Sequence, residues 1–352
     1  MDVTNLMSLV GIFILVIALF IFILRRVSYA LIVRHRKYRW AINYYSVLLV
    51  FFPFSATLYA WRSYAWLCLR DFERTLDDCA RAIKRNDKMA IVYNYQATAY
   101  MGLYKFLDAY WAAQRAIQLN NILWAAYSNR ACALQGLKDY GSAIKDFDLC
   151  IQQQPGTSGL YYGRANCYLR LQQYERAVQD YGSCIKLNAN AWNAYHNRAY
   201  AYIGINDVEH GYADICKSCE LHPSGLIHRL TKAWFELCLD PRLTPERVED
   251  FAALSALETP QVSWRYSYQG MLAWMRGEYE QALEQFGLSI ESSSFDDESD
   301  YFWSGMSLAA LGRYEEARKA IDYALQHSLL PFLLKTLTLL QEEHSAFVEQ
   351  YL

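Results

Sequence analysis

The sequence predicts an all-α protein, a solenoid of about eight to nine helix–turn–helix units preceded by one transmembrane helix. Two observations lead to this prediction: a tyrosine that returns every 34 residues, and an uncharged run near the N-terminus. The repeating tyrosines are Tyr59, Tyr93, Tyr127, Tyr161 and Tyr195. Each is followed four residues later by a small residue, namely Ser63, Ala97, Ala131, Ala165 and Ala199. Self-similarity at this period is typical of stacked helix pairs.

The composition agrees with an extended array of repeats. The chain has 352 residues, of which 54% are hydrophobic, and a net charge of -2. The chain is longer than a typical domain with a single hydrophobic core. A repeat array has no such limit on length, because each unit packs only on its neighbours. Most of the nine cysteines fall at small apolar sites of the repeat. We therefore expect free, buried thiols and a reducing compartment.

Residues 1–24 are predicted to be an uncleaved membrane anchor. Leu6 to Leu24 is a run of 19 residues without a charge, which at ~1.5 Å per residue just crosses a ~30 Å hydrocarbon core. The following residues 25–39 contain six basic residues and no acidic one. The positive-inside rule then places the N-terminus outside and the repeats in the cytoplasm, as a single-pass protein. The basic stretch 25–39 is also suited to contact anionic lipid headgroups.

A second uncharged run leaves the number of membrane spans open. Residues 40–61 lie between Arg39 and Arg62 without a charge, and hydropathy alone would make them another span. The repeat register favours a different interpretation, because Tyr38, Ala41 and Pro53 fall on the aromatic, small and terminal sites of one more unit. We accordingly predict a basic juxtamembrane segment and a degenerate first repeat over residues 25–55.

The remaining residues divide by the same register. Each unit is expected to contain two amphipathic helices, in which small residues such as Ala131 and Ala143 allow close approach and aromatics such as Phe147 fill the adjoining space. The register predicts five regular units over 56–225, an irregular unit over 226–262, two further units over 263–331 and a C-terminal capping helix over 332–352.

Two short segments make the chain resemble a known family. Residues 136–143 and 312–317, with a glycine, a tyrosine and an alanine in fixed order, are typical of tetratricopeptide-repeat (TPR) proteins. This resemblance implies a right-handed superhelix whose first helices line a concave groove that binds peptides or partner domains. The combination of anchor and array is similar to bacterial envelope-assembly regulators and mitochondrial import receptors.

The side chains of the predicted groove come from the first helices, away from the packing stripe. They are polar or aromatic, and such a surface suits an extended peptide whose backbone pairs with amides. The predicted groove residues are Tyr64, Asn94, Thr98, Ser128, Asn129, Tyr162, Asn166, Asn193, His196, Asn197 and Tyr200. The segments 127–131 and 195–199 resemble the asparagine-bearing helix of a carboxylate clamp, but the neighbouring units lack the basic residues that a clamp requires.

Several other functions are disfavoured. The sequence has no glycine-rich phosphate loop, nucleophile elbow or metalloprotease motif, so we predict neither an enzyme nor a cofactor. Cys216, Cys219, His222 and His228 have the residue types of a zinc site, but Cys219 aligns with apolar core positions, and no metal is predicted.

Charge disfavours nucleic acid as the partner. The chain has 34 basic and 36 acidic residues. Six of the basic residues lie in 25–39 and one acidic residue is Asp2, so residues 40–352 contain 28 basic and 35 acidic residues. Residues 40–352 therefore carry a net charge of -7, which repels phosphate.

The predicted function is a membrane-anchored, non-catalytic adaptor or scaffold that binds a peptide or protein partner. The alternative is a structural or assembly subunit of a larger membrane complex, with its groove permanently occupied. Whether the chain forms a homo-oligomer stays open.

Overall fold

The described chain is helical and divides into two compact units. The computed structural model describes residues 37–225, 229, 231–233, 235–236, 245–255, 262–292, 298–327 and 341–350. Every regular element in these ranges is an α-helix, which confirms the all-α prediction for them. The two compact units are residues 1–155 and 156–352. The predicted anchor 6–24 and residues 25–36 of the basic stretch lie outside the described residues.

The first unit contains a leading helix and three helix pairs. The helices are α1 Tyr38–Phe51, α2 Ala56–Cys68, α3 Phe72–Arg85, α4 Ala90–Gly102, α5 Phe106–Leu119, α6 Trp124–Gly136 and α7 Tyr140–Gln153. The first helices of the pairs therefore begin at residues 56, 90 and 124. This is the 34-residue period of the sequence, and each first helix packs against the second helix that follows it.

The second unit continues with the same period and then becomes less regular. Its described helices are α8 Ser158–Arg170, α9 Tyr174–Leu187, α10 Trp192–Gly204, α11 Val208–Leu221, α12 Pro245–Ser255, α13 Val262–Met275, α14 Tyr279–Ser292, α15 Glu298–Ala310, α16 Tyr314–His327 and α17 Gln341–Val348. In the predicted capping segment, α17 is interrupted by non-helical backbone angles at His344. Phe347 and Val348 of this helix are buried, and Phe347 stacks on Tyr314.

The uncharged run 40–61 is divided between two helices. Helix α1 ends at Phe51, the chain turns at residues 53–54, and α2 begins at Ala56. Because α1 buries Ala41, Tyr45 and Leu48 against α2, it behaves as the second helix of a repeat. Across the described ranges, no helix combines the length and hydropathy needed to span a bilayer.

Small residues allow the helices of a pair to pack closely. Ala131 and Ala143 in the first unit and Ala165 and Ala177 in the second are fully buried. An alanine at these contacts brings the helix backbones near each other, and aromatic side chains such as Phe147 then fill the remaining volume. The helix pairs are thus held by alternating small and large residues, as the spacing in the sequence indicates.

The turn inside each pair places one residue in the left-handed region. These residues are Arg70, Tyr104, Lys138, Gln172 and Asn206, with φ between 57° and 63°, and they recur every 34 residues. The equivalent turns after α13 and α15 have Gly277 and Gly312, with φ of 77° and 74°. An L-residue in this region costs about 1 kcal/mol or more, a cost that glycine avoids. Among the turns that the structure describes, these five therefore carry backbone strain that the two glycine turns do not.

Replacing Gln172 with glycine is expected to stabilise the second unit by about 1 kcal/mol. The side chain of Gln172 is exposed and its φ is 59°, so the substitution removes strain without removing packing. The gain should appear as a higher urea midpoint and slower amide exchange in α8 and α9. Gln172→Ala, which retains the Cβ atom, is the control and should give no gain. Equal gains from glycine and alanine would show that the turn is not strained.

Candidate partner-binding face

The predicted groove residues lie on first helices in both units, and we call them the first-helix face. Tyr64 lies on α2, Asn94 and Thr98 on α4, and Ser128 and Asn129 on α6. Tyr162 and Asn166 lie on α8, and Asn193, His196, Asn197 and Tyr200 on α10. Asn94 is buried and the other ten are partly buried. The face is therefore neither core nor fully solvated.

In the first unit, hydrogen bonds join the face across two successive first helices. The amide Nδ2 of Asn129 on α6 donates to Asn94 Oδ1 at 2.9 Å and to Thr98 Oγ1 at 2.9 Å, both on α4. It also lies 3.2 Å from the Asn94 carbonyl oxygen. On the preceding helix, the ring of Tyr64 lies 5.2 Å from that of Tyr95. These contacts fix the positions of the polar groups on the face in this unit.

The second unit repeats the arrangement 68 residues later. The amide of Asn197 on α10 donates to Asn166 Oδ1 at 2.9 Å and to the Tyr162 hydroxyl at 3.2 Å, both on α8. The hydroxyl of Tyr181 donates to the same Asn166 oxygen at 2.6 Å. Burial holds the pKa of Tyr181 well above its ordinary value, so this hydroxyl remains a donor. Asn129 and Asn197 thus perform the same task at equivalent positions of two repeats.

The hydrogen bonds separate the predicted residues into two groups. One group links neighbouring first helices through hydrogen bonds. It contains Asn94, Thr98 and Asn129 in the first unit and their counterparts Tyr162, Asn166 and Asn197 in the second. In the part of the chain that the structure describes, the side chains of Ser128 and Asn193 make no hydrogen bond. The first group organises the face, and the side chains of the second group keep their hydrogen-bonding capacity.

His196 and Tyr200 extend the face along α10. Their rings lie 5.3 Å apart in an edge-on arrangement, and the Tyr200 hydroxyl lies 3.4 Å from Thr231 Oγ1. Both side chains are partly buried. They add an aromatic border to the amide groups, which is the combination that covers the side chains of a bound peptide.

A set of buried arginine–aspartate pairs was missed by the sequence analysis. The pairs are Arg62–Asp78, Arg130–Asp146, Arg164–Asp180 and Arg198–Asp214. Each joins the two helices of one pair through two hydrogen bonds; for Arg130 they measure 2.7 and 2.6 Å. The aspartate side chains are only 2–9% exposed. The signal was present in the sequence, since arginine and aspartate stand at these positions in four of the five regular units, with Gln96 and Ala112 in the other.

These pairs decide what the first-helix face can recognise. Arg130 and Arg198 lie in the two segments that resemble a carboxylate clamp, but each is bonded to an aspartate of its own repeat. The hydrogen bond with Asp146 raises the pKa of Arg130 further, so this pair stays charged. Neither guanidinium is available for a carboxylate of a partner. The face therefore offers amides, hydroxyls and aromatic rings in place of charge.

The cysteines that the structure describes are free thiols. Burial raises the pKa of Cys132 to about 11 and that of Cys150 to about 12, so neither supplies a thiolate near neutral pH. Cys219, expected in the core, is only partly buried. Among the described residues no group of three or more metal-binding side chains comes together. His222 stacks on Trp192 at 4.7 Å, and His228 lies outside the described residues.

A family model matches the region where the period is most regular. The model described as "Tetratricopeptide repeat" matches residues 125–157 and 158–190. The chain contains tetratricopeptide repeats. Helices α6 to α9 are thus the two helices of each of two TPR motifs. No curated protein matches the sequence.

Solved structures extend the TPR fold over most of the chain. A tetratricopeptide repeat protein from Parabacteroides merdae ATCC 43184 is similar at a TM-score of 0.56 and 15% identity, covering 72% of this chain and 98% of that one. The human IFIT1 dimer with m7Gppp-AAAA is similar at a TM-score of 0.53 and 12% identity, covering 77% of this chain and 72% of that one. At these identities the likeness shows the TPR fold alone.

Proposed function

We propose that this protein is a membrane-anchored TPR adaptor that holds a peptide or protein partner on its first-helix face and does no chemistry itself. The observation that carries the proposal is the hydrogen bonding of Asn129 and Asn197 to the preceding first helices. In each unit, this bonding fixes a set of polar groups in place. A surface ordered in advance loses less conformational entropy when it binds a partner.

The chemistry of the face favours an uncharged or mixed segment of a partner. Ser128 and Asn193 can exchange hydrogen bonds with a peptide backbone, and Tyr64 and His196 can cover apolar side chains. The arginines nearby are bonded to aspartates, so a C-terminal carboxylate would lack a charge partner. Recognition would then depend on amides and aromatic rings.

The membrane part of the proposal rests on the sequence. The uncharged run 6–24 and the basic stretch 25–39 that follows it favour one span with the repeats on the cytoplasmic side. A tether of this kind concentrates a partner at the bilayer, where binding to a second component becomes effectively intramolecular. This is the advantage that an adaptor gains from an anchor.

Affinity capture of the full-length chain from its own membranes in detergent tests the adaptor function. Ser128→Arg and Asn193→Arg place a bulky charge on the first-helix face and should reduce partner recovery about tenfold each. Gln152→Arg, on the exposed surface of α7, is the matched control and should leave recovery unchanged. A partner retained equally by all three variants would show that the face is not the binding site.

The same experiment distinguishes the alternative function. A structural subunit of a larger membrane complex would keep its partners through every purification step, and the chain alone would be insoluble or unfolded. An adaptor would release its partner on dilution and remain folded.

A further inference from the structure

Helix α1 is apolar on two opposite sides. One side packs on α2 through buried residues that include Ala41, Tyr45 and Leu48. The other side, which we call the outer face of α1, carries Trp40, Val47, Val50 and Phe51 and continues after the helix with Phe54. These five side chains are 58–84% exposed. A surface helix normally presents polar residues on its outer side, so an apolar outer face indicates contact with another apolar phase.

Among the residues that the structure describes, the repeat register places no neighbouring repeat over this face. Thirty-four residues further along, the matching positions belong to α3 and its following turn, and every one of them is exposed. The five matching residues are Arg74, Arg81, Lys84, Arg85 and Lys88. The array therefore leaves this side of a second helix open to its surroundings. In α1 all five basic residues are replaced by apolar ones.

We propose that the outer face of α1 lies in the headgroup region of an anionic bilayer, as a second membrane contact beside residues 6–24. This inference rests on the membrane tether of the proposed function. The run 6–24 ends 14 residues before Tyr38, so α1 begins within about 50 Å of the bilayer even if the intervening chain is fully extended.

Charge selects lipid over a second copy of the chain. Residues 25–39 carry six basic residues and no acid directly before the outer face. Anionic headgroups attract such a stretch, whereas two copies meeting through α1 would bring two basic stretches together. Tryptophan and phenylalanine are also the residues that amphipathic helices insert at the boundary between headgroups and acyl chains. The exposed Trp40 and Phe51 are placed for this contact.

Photo-crosslinking tests this contact directly. A diazirine side chain replaces Val47 or Phe51 in the full-length chain, which is reconstituted in phosphatidylcholine–phosphatidylglycerol vesicles. The matched controls carry the same group at Arg81 or Arg85. Lipid adducts, detected by mass spectrometry, are expected at 47 and 51 and not at 81 and 85. Changing Val47 and Phe51 together to arginine should abolish the lipid adducts formed by a diazirine at Val50.

The other outcomes overturn the inference. Crosslinks from 47 and 51 to residues 6–24 or to a second chain would identify a protein occupant, and equal lipid adducts at 47 and 81 would show non-specific contact. Flotation of the same samples monitors the tether separately. If the chain floats with the vesicles but forms no lipid adducts at 47 and 51, only the outer-face contact is refuted. If the chain does not float, the membrane tether is refuted as well.

Discussion

Replacing Arg130 with glutamine is expected to lower the free energy of unfolding around α6 and α7 by about 3 kcal/mol. The substitution removes both hydrogen bonds to Asp146, whose side chain is only 4% exposed, and leaves a buried carboxylate without its cation. A repeat array does not unfold as one unit, so the effect should be measured locally. Amide exchange in peptides from Trp124–Gly136 and Tyr140–Gln153 should accelerate roughly a hundredfold.

The chain supplies a matched control for this experiment. In the preceding repeat, Gln96 and Ala112 occupy the positions equivalent to Arg130 and Asp146, and that repeat folds without the pair. The double variant Arg130→Gln, Asp146→Ala should therefore recover most of the loss, because no charge remains buried. If Arg130→Gln alone left local exchange unchanged, the pair would have no stabilising role.

Replacing Gly305 with alanine is expected to destabilise the contact between α15 and α16 by about 2 kcal/mol. A Cβ atom at Gly305 would lie 2.5 Å from Ile321 Cγ1 and 3.1 Å from the backbone oxygen of Ala317. The Ile321 side chain could rotate, but the backbone of α16 cannot yield without separating the helices. The measurement is amide exchange across Glu298–Ala310 and Tyr314–His327.

Gly287 provides the control for the glycine substitution. It lies inside α14, and an added Cβ there would meet nothing within 4 Å. Gly287→Ala should therefore stabilise α14 by about 1 kcal/mol through helix propensity alone. If both alanine variants were stabilising, close helix approach at Gly305 would not be a requirement of the fold.

Sequence periodicity predicted the helix pairs because the packing contacts between helices recur with the same 34-residue period as the residues that make them. A residue such as Ala131 recurs every 34 positions since each repeat buries that position against the next helix. The same signal assigned residues 25–55 to a degenerate first repeat with Pro53 at its terminal site, where hydropathy alone would have allowed a span; the described helix there ends at Phe51. The repeat period thus indicates a helix boundary inside the run 40–61, which average hydropathy treats as one continuous apolar segment.

The buried polar contacts were harder to predict. An amphipathic pattern assigns charged residues to the solvated side, whereas Arg62 and Asp78 pair at 2.7 Å between two helices, with the Asp78 side chain only 2% exposed. Similarly, the sequence did not predict that the amide of Asn129, a predicted groove residue, donates to Asn94 on the preceding first helix. The recurrence of arginine and aspartate at multiples of 34 residues marks these positions, but which polar groups meet depends on the rotation of each helix about its axis.

The central claim is that a TPR array is tethered at the membrane and holds a partner in the cytoplasm. Measuring the membrane topology of the intact chain tests this claim most directly. A tag is placed after Leu352, and membranes are treated with carbonate and then with protease from either side. We expect the chain to stay with the membrane and protease to remove the tag only from the cytoplasmic side. Release of the chain by carbonate, or a tag cleaved only from the opposite side, would contradict it.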